Sequence, residues 1–111
     1  MLKKLGTVNF KGKSGNRYRF EAYPLETVFD EGLSGVYVVT ERKRSKSKPG
    51  FVHARVGTGQ SDDLRMSLTN GEKAFSEQGA NCVCVHAQND EGIRQKIEQD
   101  LMRKPRPAGD A

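Results

Sequence analysis

The segment SGVYVVTE, residues 34–41, limits the folds open to this chain more than any other stretch. Val36, Val38, Val39 and Thr40 are β-branched and Tyr37 is aromatic, so the run disfavours a helix and suits a packed, pleated surface. Apolar side chains fall on both sides of the pleat, which asks for cover on both faces. The strand leads into the basic stretch ERKRSKSKPG, whose Lys-Pro-Gly end supplies turn chemistry, and FVHARVG then pairs back as the next strand. Residues 34–41 and 52–57 are therefore expected to pair antiparallel, with the first of them central in a sheet.

The flanking segments extend that sheet. TVNF and RYRFEAY alternate, placing Val8 with Phe10, and Tyr18 with Phe20 and Ala22, on shared faces. The polar KGKSGN between them reads as a hairpin loop, Pro24 ends the second strand, and YPLETVFDEGL is irregular. Ser61 is the expected N-cap of a helix near 61–69, with Asp62 and Asp63 where the helix dipole favours negative charge. Leu64 and Leu68 lie one turn apart, and Asn70-Gly71 is expected to stop that helix.

EKAFSEQ then forms a second helical piece ending at Gly79, and NCVCVHA returns to the sheet as a strand at 81–86. Asn89 or Asp90 opens the last helix, near 90–103, with Ile93, Ile97 and Leu101 as one apolar stripe. Arg103 and Lys104 suit its C-terminus, and PRPAGDA reads as a frayed tail. The order β-β-β-β-α-α-β-α places the chain in the α+β class, a small, mostly antiparallel sheet flanked by helices with an N-terminal β-hairpin.

Composition sets the scale and the partners. With 111 residues, 34% hydrophobic and 30% charged, the chain can build one lean core under a heavily solvated surface. No apolar run reaches the length of a membrane span, and MLKKLGTVNF has no apolar stretch of the kind a secretion signal needs. Two cysteines do not make a disulfide scaffold, so a reducing cytoplasm is the expected location. The net charge of +5 favours an anionic partner.

That charge gathers in the hairpin loop, where Arg42, Lys43, Arg44, Lys46 and Lys48 occupy five of seven positions. Two readings stay open: a solvated loop kept soluble by lysines, or a basic loop that tracks a phosphate backbone and releases its counterions. No aromatic residue interleaves with these charges, so no base-stacking platform is expected. In CVCVH, Cys82, Cys84 and His86 share a strand face, and His53 stands on another strand. The spacing is not that of a zinc finger, and same-face strand neighbours converge poorly on a tetrahedral ion, so small buried thiols without a disulfide are expected. Helix capping accounts for Asp62 and Asp63.

Taken in order, these residues resemble the GIY-YIG endonuclease superfamily. Gly35-Val36-Tyr37 is similar to its first motif, and a basic hairpin loop and a second strand ending in glycine follow. GQSDDL is similar to the family's turn into its first helix, which registers Gly59 as the motif glycine, Ser61 as its hydroxyl residue and Leu64 as its leucine. GANCVCVHAQNDEGIRQKIEQDLM resembles the last strand and helix of small stand-alone members, and RYRFEAYPLETVF their N-terminal extension. The resemblance implies one domain over 1–104, with an extension at 1–33, a core at 34–104 and a flexible tail at 105–111.

The resemblance also implies chemistry. Glu98 would be the metal-binding glutamate for a Mg²⁺ or Mn²⁺ ion that neutralises charge on the scissile phosphate. Tyr37 would polarise or deprotonate the attacking water, its pKa lowered by the site. An arginine from the first helix would stabilise the transition state. Here the chain departs from the pattern. The second motif reads Gly57-Thr58-Gly59, without its tyrosine, which could leave a pocket, and Ser67 stands at the arginine position. Arg65 is two residues short, about 160° around the helix. A shifted register through Arg55-Val56-Gly57 would put Arg65 at the catalytic spacing but lose the Leu64 match. The family's asparagine near the end has no counterpart in RKPRPAGDA.

Tyr37, Arg65 and Glu98 are therefore the catalytic candidates, in vestigial form, and Arg42, Lys43, Arg44, Lys46 and Lys48 the nucleic-acid-binding candidates. Losing one transition-state donor costs about 10²–10³-fold in rate, so little nuclease activity is expected. Three functions stay open: a nucleic-acid-binding domain with a degraded active site, an active metal-dependent endonuclease with a rearranged arginine, and a protein-interaction module using the fold as scaffold.

Overall fold

The computed structural model describes residues 3–102. Strands β1 (Gly6–Lys11) and β2 (Arg17–Pro24) form the N-terminal hairpin, and β3 (Gly35–Arg44) and β4 (Phe51–Ser61) the second. Helix α1 (Leu64–Glu77), strand β5 (Cys82–Ala87) and helix α2 (Glu91–Met102) follow. The fold is α+β, with five strands in the order β1-β2-β5-β3-β4 and every neighbouring pair antiparallel. As its β-branched run requires, β3 is paired on both sides and Val36, Val38 and Val39 are fully buried.

Strand alternation divides the core into two faces. Val36, Val38, Cys82 and Cys84 pack with Phe10, Phe20 and Ala22 under Ile97 and Leu101 of α2. Val39, Val83 and Val85 pack on the other face with Leu64 and Leu68 of α1 and with Leu25 and Phe29 from the irregular segment. The shared faces expected for Val8 and Phe10, and for Tyr18, Phe20 and Ala22, all belong to the α2 side.

The sheet is tightly curled around that side. In a flat sheet β1 and β4 would stand about 19 Å apart, four strand spacings. Instead the Phe10 ring lies 6.4 Å from the His53 ring on β4, and the Arg55 guanidinium lies 5.1 Å over Phe10. The end of α2 holds both margins. The Asp100 carboxylate accepts from Ser14 N (2.8 Å), Ser14 Oγ (2.6 Å) and the Tyr18 hydroxyl (2.7 Å), and Asp100 O accepts from Lys13 N (3.0 Å). One residue on, Leu101 O accepts from Arg55 Nη1 at 2.7 Å. Gly12 is required beneath this contact, because a Cβ there would overlap the Asp100 carboxylate.

Several local expectations are corrected. The hairpin strands run further than 34–41 and 52–57, reaching Arg44 and starting at Phe51. Asn70-Gly71 does not stop the first helix, and EKAFSEQ continues it. Gly71 lies within the helix without a positive φ, and its glycine makes room for the Phe75 ring, 2.7 Å from an added Cβ. The stop is Gly79, with φ +95°, where Gly79 N bonds Ser76 O and Ala80 N bonds Phe75 O. The N-cap is Asp63, which accepts from Met66 N, while Ser61 closes β4 and accepts from Asp63 N. Asp90 caps α2 by accepting from Ile93 N at 3.0 Å. The expected stripe on α2 is shifted: Ile93 is exposed, and Arg94 is buried with Ile97 and Leu101. The expectations for Arg103, Lys104 and the tail lie outside the described residues.

If the α2 clasp sets the curl, Asp100→Ala should lower stability by about 2 kcal/mol, the scale of hydrogen bonds to a charged acceptor, while Ile93→Ser should change it by less than about 0.5 kcal/mol. Urea unfolding midpoints of the two variants against the parent check this.

Candidate functional site

Tyr37 projects from β3 across the edge strand. Its register partner is Gly59, and a Cβ on Gly59 would overlap the Tyr37 ring, 2.9 Å from Cε2. Glycine there lets the phenol reach over β4, where the charge of Glu98 on α2 acts on it. The structure thus brings two of the three catalytic candidates into electrostatic range. The lowered phenol pKa is corrected, however. Burial first, and the Glu98 charge second, hold the Tyr37 pKa above its ordinary value, since both disfavour phenolate.

The rest of the expected constellation is replaced by packing. Phe75 lies over Gly57, 3.0 Å from an added Cβ, and meets Tyr37 edge-on at 6.4 Å. Phe75 thus takes the space a side chain at Gly57 would enter, while a small open hollow of about 180 Å³ remains beside Gly57, lined also by Arg55, Thr58 and Leu101. Ser67, at the arginine position, donates to Ser61 Oγ at 2.7 Å. Arg65 faces the irregular segment and pairs with Glu31 at 3.0 Å.

An arginine that sequence periodicity overlooked stands on α2. Arg94 is 3% exposed. Its Nε donates to Gln60 Oε1 (2.9 Å) and its Nη1 to the carbonyls of Gln88 (3.1 Å) and Asn89 (2.9 Å). The available signal was that 94, 97 and 101 fit a helical face as well as 93, 97 and 101. The carbonyls just before the helix needed a donor, and Arg94 supplies it.

The basic candidates sit on a projecting ribbon. β5 pairs with β3 only as far as Thr40, so beyond it β3 and β4 continue as a two-stranded hairpin pairing Arg42 with His53, Lys43 with Val52 and Arg44 with Phe51. Asn81 anchors its base, accepting from Arg42 N at 2.7 Å and donating to Arg42 O at 3.1 Å. Lys46 and Lys48 lie at the exposed tip. The expectation that no aromatic accompanies these charges is corrected: the Arg42 guanidinium stacks 3.6 Å from the Phe51 centroid and that of Arg44 lies 5.7 Å away. Phe51, across the turn in sequence, is 46% exposed.

The thiols are buried and free, as expected, but their isolation is corrected. His53, Cys82 and Cys84 place their ligand atoms within 4.8 Å of one another. The convergence comes from the curl, which turns β4 toward the inward thiols of β5. His86 is not part of it; its Nδ1 meets Arg19 O at 2.8 Å. Thr40 Oγ1 touches His53 Nδ1 at 2.9 Å. The Cys84 thiol, opposed by burial and helped by Thr40, holds Cys82 down at about 7, and the same Cys82 contact together with burial pushes Cys84 up. Burial, then the Arg42 charge, lowers the His53 pKa and favours neutral imidazole.

Comparison of the chain with known protein families, with curated proteins and with solved structures gives no match.

The position of Tyr37 predicts its titration. The ultraviolet difference between parent and Tyr37→Phe should show a phenol midpoint above 10. Glu98→Gln should lower that midpoint and still leave it above 10, because burial is the larger cause. A parent midpoint below 10 would restore the lowered phenol.

Proposed function

We propose that this chain is a GIY-YIG-like domain with degraded catalytic motifs, which binds nucleic acid through the β3–β4 ribbon and has little or no nuclease activity. One observation carries the reading. Arg42, Lys43, Arg44, Lys46 and Lys48 ride on a two-stranded ribbon that leaves the sheet, with an exposed aromatic ring stacked by the Arg42 guanidinium and near that of Arg44. A β-ribbon fits the major groove of duplex DNA, about 12 Å wide, whereas the A-form major groove is too narrow to admit it. Duplex DNA is therefore the favoured partner, with phosphates neutralised by the lysines and arginines.

The weak-catalysis half of the reading follows from what surrounds Tyr37. The phenol is held in its protonated form, and the two positions that should supply a tyrosine and an arginine carry glycine under Phe75 and serine bonded to serine. For Mg²⁺ or Mn²⁺ the fit is poor. Among the described residues Glu98 belongs to no cluster of three metal-ligating side chains, and hard ions want several oxygens. The second reading, an active endonuclease, draws its support from the charge of Glu98 acting on Tyr37. No helix among the described residues is long and apolar enough to cross a membrane.

Fluorescence anisotropy with duplex DNA over a salt series tests the binding. Replacing Arg42, Lys43, Arg44, Lys46 and Lys48 with glutamine should weaken affinity and flatten the salt slope by about 0.9 for each phosphate no longer neutralised. An unchanged slope would return the ribbon to a solvated loop. Supercoiled plasmid with Mg²⁺ or Mn²⁺ should remain intact. Robust nicking that disappears in both Glu98→Ala and Tyr37→Phe would establish the active endonuclease instead.

A further inference from the structure

Inside the curl, away from Tyr37 and Glu98, three side chains converge that neither the fold nor the proposed function uses. We propose that His53, Cys82 and Cys84 bind a single thiophilic d¹⁰ cation of the Zn²⁺ type, in a buried site entered from the cleft between β1 and the ribbon.

The ligand geometry is close to what such an ion requires. Zn–S bonds near 2.3 Å and Zn–N bonds near 2.0 Å place neighbouring ligands of a tetrahedral site about 3.6–3.8 Å apart. The three ligand atoms already lie within 4.8 Å of one another, so side-chain torsions need to close about 1 Å. Two sulfurs and an imidazole select a soft or borderline cation over Mg²⁺ and Ca²⁺. Thr40, fully buried, holds His53 Nδ1 at 2.9 Å and restrains the ring, as partners of metal-ligating histidines do.

Charge and access are also met. Each thiol loses its proton to solvent as its sulfur–metal bond forms, and two thiolates cancel the charge of a divalent ion. The filled pocket is then as neutral as the empty one, which a low-dielectric interior requires. A cleft of about 400 Å³, lined by Leu5, Val8, Arg42, Phe51 and His53 among others, runs from solvent to the imidazole. His53 is half-buried while both thiols are fully buried, so the imidazole stands at the mouth and the sulfurs behind it. Three protein donors leave one position for water or another small ligand, the arrangement of an open rather than a closed zinc site.

The full chain, reduced and stripped with a chelator, tests this with Zn²⁺ and Co²⁺ as probes. One equivalent of Zn²⁺ should bind, release close to two protons, raise the melting temperature and protect both thiols from alkylation. Co²⁺ should give thiolate-to-cobalt charge-transfer absorption. Cys84→Ser and His53→Gln, checked for folding by circular dichroism, should each weaken binding at least tenfold, while His86→Gln should leave it unchanged. The protection of wild-type thiols needs no variant, so a variant that fails to fold does not spare the proposal. Thiols that stay fully reactive in excess Zn²⁺, or Co²⁺ absorption that persists in Cys84→Ser and His53→Gln, would overturn it.

Discussion

Both margins of the sheet are held by the last turn of α2, and the shape of what lies between them follows from that hold. Burial supplies most of the energy: Phe20 and Leu101 are 0% and 2% exposed, and each such side chain contributes about 1.5–3 kcal/mol. Apolar burial is non-directional, however, and would tolerate a flatter sheet. Asp100 and Leu101 supply the direction. A carboxylate that gathers Ser14 and Tyr18 from the first hairpin, next to a carbonyl that takes Arg55 from β4, ties β1–β2 and β4 to one point on one helix. The curl then follows, and with it the approach of Phe10 to His53 and of His53 to the thiols.

The two faces of the sheet consequently differ in kind. On the α1 face, aromatic packing closes the space around Tyr37, because Gly57, Gly59 and Gly71 make room for the rings of Phe75 and Tyr37. On the α2 face, the curl encloses polar and ligating groups: Cys82 and Cys84 are part of the core cluster itself, and His53 meets them there, with Thr40 bonded to its ring. The ribbon begins beyond the Thr40–Cys82 pair, where β3 outruns the first residue of β5, so its basic residues stand clear of the sheet. One strand boundary thus sets what is core and what is available to a polyanion.

Much of this was legible in the sequence because it is local. Alternation identified the inward residues of β1, β2 and β5, and the β-branched run of β3 required cover on both faces. What was not legible depends on contacts between distant residues. Gly71 reads as a helix stop until Phe75 is seen to lie on it, and Ile93 reads as core until the carbonyls of Gln88 and Asn89 draw Arg94 inward. Phe51 stands seven residues beyond Arg44 in sequence, and only the hairpin register makes them partners. His53 and the thiols are 29 and 31 residues apart, and no local pattern reports a curl. Of the candidate site, motif order named Tyr37 and Glu98, whose charge acts on that phenol, while the packing of Phe75 and Ser67 around it was not legible.

That filling bears on how far such a chain stands from nuclease chemistry. Under the proposed reading, the missing groups are not simple deletions that one substitution would restore. A tyrosine at Gly57 would meet the Phe75 ring, and that ring in turn rests on Gly71. An arginine at Ser67 would lose the hydroxyl pair with Ser61, whose Oγ also receives the Asp63 amide just before α1 begins. Each restoration therefore disturbs a contact that supports the helix expected to carry the chemistry. Overpacking of this kind costs about 1–3 kcal/mol per site, and neighbouring changes that share partners do not add independently. Recovery would need Gly57, Phe75 and Ser67 to change together. Half-buried as these residues are, they are tied to one another by packing and hydroxyl contacts, and under the proposed reading the binding role falls to the exposed ribbon instead.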